Sequence, residues 1–214
     1  MLYTILLALC TVLFGLLLAL VLAFMRMSKS KILRGISGAY IELIRGTPML
    51  VQLYLVFLVI FGQHGFTAPQ FTLFGFIDGS RFVPGIVALS LNSAAYVAEI
   101  VRAGIQGVDY GQTEAAHSLG MTGAQSMIFV VLPQAIRTIL PAIANEFVTI
   151  IKESSVCMVL GMQEIMYSAK TVQGATFMPV EPLIIATILY FCLTFPTSKL
   201  IQHFERRMNR GYNR

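Results

Sequence analysis

Charge is what this sequence has least of. Charged side chains make up 12% of its 214 residues against 57% hydrophobic ones, and the mean hydropathy is +0.77. That shortage excludes an ordinary soluble domain, which needs fewer apolar residues to fill one core. Long polar stretches are missing too. Every one between apolar runs is shorter than about 30 residues, too short to bury a core of its own, so residues 1–214 are expected to form one membrane domain. Cysteines are few and scattered: Cys10, Cys157 and Cys192 sit in apolar stretches without a CxxC pair or a histidine at ligand spacing, so they read as buried hydrophobes and no metal is expected. His64, His117 and His203 stand alone in polar connections and read as solvated or interfacial. No G-x-x-x-x-G-K-[ST] loop occurs, so nucleotide hydrolysis is not expected of this chain. No cluster of metal ligands or nucleophile–base pair suggests an enzyme. The basic excess, 15 Lys and Arg against 10 Asp and Glu, gathers beside apolar segments, which fits membrane orientation and not nucleic acid.

Five stretches are long and apolar enough to cross a membrane, given about 20 residues for a roughly 30 Å hydrocarbon layer. They are Leu2–Met25, Pro48–Phe61 extended backward, Phe82–Gly107, Gln134–Gly161 and Pro182–Phe204. No basic residue precedes the first, whereas Arg26, Lys29, Lys31 and Arg34 follow it, a pattern that argues against a cleaved signal peptide and for an outside N-terminus. Alternating from there, the inner side collects those four with Arg45, Arg102, Arg137, Lys199, Arg206, Arg207, Arg210 and Arg214, and the outer side only Arg81 and Lys170. The expected fold is all-α, with five transmembrane helices, N-terminus out and C-terminus in.

Residues 27–47 carry Ile32, Ile36, Tyr40 and Leu43 at helical spacing, which suits a helix along the inner surface. Gly46-Thr47-Pro48 reads as a stop followed by an N-cap and a first-turn proline. Pro84 and Pro182 are placed in first turns, while Pro141 and Pro196 fall inside spans and should kink or break them. The loop from His64 to Arg81 contains amphipathic pieces such as Phe71–Ile77.

The inner connection at about 109–133 reads DYGQTEAAHSLGMTGAQSMIFVVLP. Asp109 with Gln112, and Thr122 with Gln125, have capping-box spacing, and Gly120 between them can supply a sharp turn. A compact protrusion of two short helices follows. Its residues Glu114, Ala115, Ala116 and Gly120, with Val130, Leu132 and Pro133, resemble the EAA loop of permeases in bacterial ABC importers, Val130 standing where the family pattern has Ile. Glu42-Leu43, Arg45-Gly46-Thr47-Pro48, Gln52, Asn92, Ala95-Tyr96, Ala98-Glu99, Arg102 to Ile105, Gly111-Gln112, Asn145 and Lys152 to Ser155 are similar to the branch that takes up polar amino acids such as histidine, glutamine, arginine and cystine. The likeness spans about Gly35 to Gly161. It implies that this loop docks in a separate ATPase subunit, which binds the ATP and Mg, so that the chain itself carries no cofactor. It further implies an extracytoplasmic solute-binding protein, a second permease that is either a copy or a relative, an amino acid substrate, and a place in the bacterial cytoplasmic membrane among its lipids.

Glu146, Lys152 and Glu153 fall inside the fourth span, where a charge normally faces protein or water. With Asn145 and Thr149 they share one helical face, and Ser154 adjoins it. The functional reading is a solute path, with Lys152 near a carboxylate and Glu146 or Glu153 near an ammonium or basic side chain. The structural reading is mutual pairing that fixes the packing. Asn92, Ser93 and Tyr96 in the third span are secondary path candidates that helix–helix hydrogen bonding explains equally well. Glu99 and Arg102, three apart, are expected to pair. A small channel without an ATPase is the competing function, and the capped protrusion distinguishes the two, since a channel needs none.

Overall fold

A computed structural model of the chain describes residues 1–62 and 65–209; His64, Arg210 and Arg214 lie outside them. The elements are α1 (Leu2–Met27), α2 (Lys31–Arg45), α3 (Met49–Leu55) ending in a π turn at Val56–Ile60, a hairpin of β1 (Thr72–Leu73) and β2 (Ile77–Asp78), α4 (Gly79–Gln106), α5 (Tyr110–Ser118), α6 (Gly123–Ser126), α7 (Leu132–Glu153), α8 (Ile165–Thr176) and α9 (Glu181–Asn209). Among the described residues four helices are long and apolar enough to cross a membrane, and there are five spans if the bent pair of α2 and α3 counts as one.

Helix α4 is the centre. On α1, Thr4, Ala8, Thr11, Gly15 and Ala19 recur every three or four residues and are all buried, a stripe of small side chains that lets two backbones approach. A β-carbon at Gly15 would lie 3.3 Å from the Ser93 side chain of α4. Ser90 donates its hydroxyl to the Thr11 carbonyl at 3.2 Å, and the Tyr3 and Phe82 rings meet edge to face at the outer end, 5.2 Å between centroids. The opposite side of α1, with Leu13, Phe14, Leu17, Val21 and Phe24, is exposed, as a lipid-facing surface should be.

The second span is broken. Helices α2 and α3 meet at 111°, and the break ends the backbone hydrogen-bond ladder of α2. Gln52 bridges it. Its amide nitrogen donates to the carbonyls of Ile44 at 2.7 Å and Thr47 at 3.0 Å and to the Thr47 hydroxyl at 2.8 Å. Its oxygen accepts from the Asn92 amide of α4 at 2.8 Å. The expected N-cap role of Thr47 is therefore corrected: Pro48 holds the cap position, and the Thr47 hydroxyl donates back to Leu43. Tyr40 fastens α2 to α4 through its hydroxyl on the Leu91 carbonyl at 2.8 Å.

Other departures have local causes. The amphipathic piece at Phe71–Ile77 is a short antiparallel hairpin pairing Thr72 with Asp78 and Leu73 with Ile77, so the all-α fold carries one small sheet. Asp78 caps α4 by accepting from the Ser80 backbone at 2.9 Å and hydroxyl at 2.7 Å, bonds that hold its carboxyl below the usual range. This start puts Pro84 beyond the first turn. Helices α7 and α9 contain Pro141 and Pro196 without a break in the assigned helix. Cys157 is buried, Cys10 half-buried, and Cys192 exposed on α9, which corrects the expectation that all three are interior. Helix α8 was not foreseen. Glu164, 1% exposed, starts it by accepting from the backbone of Met166 at 2.8 Å and Tyr167 at 2.6 Å. It also accepts from the Tyr190 hydroxyl of α9 at 2.5 Å. Burial pushes its carboxyl above the usual range, against the pull of those donors.

Replacing Gln52 with Leu should remove one donor from the Ile44 carbonyl and the donor of the Thr47 carbonyl, and leave the buried Asn92 amide without its partner, at about 1–3 kcal/mol for that buried group. Thermal unfolding in detergent checks this: the midpoint should fall well below that of Val51→Leu, a change on the exposed side of the same helix.

Candidate functional site: the polar stripe and the inner protrusion

The protrusion is built from local signals. Asp109 caps α5 by accepting from the Gly111 backbone at 2.6 Å; the expected reciprocal bond from Gln112 is absent, because that side chain accepts from Gln134 of α7 at 3.3 Å. Helix α5 ends in a Schellman motif, with Met121 N–H on the Ala116 carbonyl and Gly120 N–H on His117, and Gly120 at φ +84° occupies the left-handed position the motif requires. The second capping box forms as expected, Thr122 and Gln125 exchanging bonds at 2.8 and 3.3 Å. Glu114 and Ala115 are exposed, Ala116 faces inward, and Leu119 at the tip is 83% exposed. Leu132 and Pro133 open α7.

From Gly123 the chain runs helically to Leu160, 38 residues, through a π turn at Met127–Val131 and a final 3₁₀ segment at Ser154–Leu160. The fourth span is thus longer at its inner end than its hydropathy suggests. The expected polar face exists on α7: Asn145 and Lys152 are exposed, and Glu146, Thr149 and Glu153 half-buried. Ile150 and Ile151, on the other side, pack with Ala8. Ala8 is six residues from the start of α1, about 9 Å at 1.5 Å per residue, so Lys152 and Glu153 lie in the outer half of the span. The ion pairs among the described residues join Arg81 to Asp78 and Arg102 to Glu99. Neither involves Glu146, Lys152 or Glu153.

The remaining candidates separate from this face. Asn92 is buried and held by Gln52, so it serves the broken span. Ser154 is fully buried and donates to the Ile151 carbonyl at 2.8 Å, turning α7 into its 3₁₀ end. Tyr96 is 37% exposed, its ring 5.5 Å from the Arg45 guanidinium, a cation–π contact that joins α2 to α4. Glu99 and Arg102 pair as expected, with Arg102 Nε 2.9 Å from the carboxylate. Sequence reasoning named Gln52 only for its resemblance and passed over Gln134; both are glutamines next to helix breaks, a usable signal.

The chain is thus a multi-pass membrane domain with a capped protrusion at one end and, in one span, charges that form no ion pair among the described residues. Residues 11–210 match the family described as binding-protein-dependent transport system inner membrane component, and the chain belongs to that family. It is a permease subunit of an amino acid ABC transporter. It is 41% identical to the arginine transport system permease protein ArtQ of Bacillus subtilis over 91% of this chain and 84% of that one. It is 37% identical to the nopaline permease NocM of Agrobacterium fabrum over 96% and 85%. A crystal structure of an amino acid ABC transporter with histidines superposes with a TM-score of 0.87 at 44% identity, over 97% of this chain and 91% of that one. The methionine transporter MetNI, inward facing, shares the fold at TM-score 0.73 and 17% identity, over 96% and 93%.

Gly120→Val should leave membrane insertion intact, because the turn is exposed, and cost about 1–2 kcal/mol of local strain at a left-handed position. Co-purification with the ATPase subunit is the measurement. A clear loss of association is expected, with unchanged yield of folded permease.

Proposed function

We propose that this chain carries polar amino acids, basic ones preferentially, inward across the bacterial cytoplasmic membrane, along the polar face of α7, and that a separate ATPase drives the step through the protrusion. One observation carries the reading: the run from Gly123 to Leu160 joins the exposed loop to the unpaired charges as a single helical rod. Displacement of the loop by an ATPase would reach Glu153 without passing through a flexible linker. The protrusion supplies a surface to dock, with small Ala115 for close approach, Leu119 as an apolar tip and Glu114 for a charge-assisted contact. ATP and Mg would sit on that partner, and a solute-binding protein would deliver the amino acid from outside.

Two Glu and one Lys give the stripe a net charge of −1, which suits a zwitterion bearing an extra ammonium or guanidinium better than one bearing an extra carboxylate. Lys152 would meet the α-carboxylate, and Glu153 or Glu146 the cationic end. Because Asn145 and Lys152 open away from the rest of the chain, a second permease, a copy or a relative, is needed to close the path. Similar permeases are named for arginine and nopaline and also for glutamine and cystine, and the arginine name is in keeping with a guanidinium-tolerant path.

Glu153→Gln keeps shape and removes charge. In the reconstituted transporter, normalised to folded protein, it should weaken uptake of arginine by about 1–3 kcal/mol in apparent affinity, the range for a hydrogen bond to a charged group, and that of glutamine by less. An unchanged arginine-to-glutamine ratio would show that Glu153 does not meet the solute.

A further inference from the structure

The outer hairpin serves neither the path nor the protrusion. Between Arg45 and Asp78 the sequence contains no Asp, Glu, Lys or Arg, so an uncharged chain runs from α3 through the hairpin to the start of α4. Within the hairpin Ile77 turns inward and is fully buried beside Tyr3, Leu7, Leu53 and Phe82. Leu73 and Phe74 turn outward, 44% and 65% exposed. Phe74 has φ +54°, a left-handed backbone that glycine or asparagine holds at lower cost. Its ring stacks on Phe76, centroids 6.3 Å apart. Backbone preference and core packing thus give no reason for phenylalanine at this tip.

We propose that the hairpin is an outer-leaflet anchor, with Leu73, Phe74 and Phe76 seated between the lipid headgroups and the acyl chains. Its level fits: Gly79, the first residue of α4, donates its backbone N–H to the Phe71 carbonyl at 2.8 Å, which fixes the hairpin at the height where α1 and α4 begin. It is also continuous with the lipid-facing belt, since the α3 end that feeds it exposes Leu55, Leu58 and Val59. Its chemistry separates lipid from a protein partner. A reversible protein interface carries a polar rim and complementary charge, whereas this surface has no charge until Asp78 and Arg81, which pair with each other at 3.7 Å. Exposed aromatic and leucine side chains above an uncharged backbone suit the headgroup boundary.

The chain contains no tryptophan, so Phe74→Trp introduces its single one. The test uses the whole transporter in proteoliposomes, with wild-type emission subtracted and bromine placed on acyl carbons either near the glycerol or near the terminal methyl. Phe14→Trp, at an exposed site midway along α1, is the deep control, and Leu73→Trp is a second reporter should Phe74→Trp fold poorly. The anchor requires that the hairpin tryptophan lose most of its emission to shallow bromines, little to deep ones, and little to aqueous acrylamide, with no change when the solute-binding protein is added. Strong acrylamide quenching without a bromolipid effect would overturn it. So would protection from both quenchers, which means cover by a second subunit, or an emission shift on adding the binding protein, which means that this protein docks there.

Discussion

A helix that stops leaves its last carbonyls without intrahelical partners, and α2 of this protein stops at Arg45, just before the bend at Gly46–Pro48. The side chain of Gln52 meets that demand by donating to Ile44 and Thr47, and its oxygen takes the amide of Asn92. The bend of 111° depends on this clasp, and the placement of α2 and α3 against α4 depends on the bend. Helix α4 can accept so many neighbours because its own surface is small or hydroxylated, with Ser90, Ser93, Ala94, Ala95 and Ala98 all buried. In hydrocarbon such a surface holds by close contact and a few polar links, because lipid chains are as apolar as the helices they would be exchanged for.

Helix α7 then stands on α4 with Asn145 and Lys152 turned outward and Glu146, Thr149 and Glu153 half-buried. Gly104 of α4 fits against Ile139 of α7 where no β-carbon could be accommodated without displacing that side chain. At the inner end Gln134 binds Gln112 at 3.3 Å and the Val130 carbonyl at 3.0 Å, so α5 and the π turn are tied to the base of the same helix. Loop, turn and stripe therefore form one mechanical unit. The charges at its far end form no ion pair among the described residues, which is costly in a membrane and is what the proposed solute path rests on.

Much of this was legible in the order of residues. Spans one, three and five were visible because an apolar run of the needed length is a local property, and the protrusion because caps and a left-handed glycine act within a few residues. The stripe was visible as far as helical periodicity holds, to Glu153. Beyond it the 3₁₀ segment buries Ser154, a change set by packing against α1 and α4 that periodicity does not encode. Thr47 looked like a cap because the tertiary reach of Gln52 to Asn92, 40 residues on, leaves no local trace. Helix α8 escaped notice because its 12 residues are too few to cross a membrane and its anchor, Glu164 to Tyr190, joins positions 26 apart.

The central claim is that one unbroken helix transmits force between the ATPase and the solute. Introducing two consecutive glycines at Val130 and Val131, in the π turn at the inner end of the helical run, should cost about 1 kcal/mol of helix propensity while leaving α5 and the stripe unchanged. The decisive measurement is stimulation of ATP hydrolysis by the substrate-loaded binding protein in the reconstituted complex. The account predicts that the ATPase still co-purifies and hydrolyses at its basal rate while stimulation and uptake are both lost; full stimulation and uptake in the double-glycine variant would contradict it.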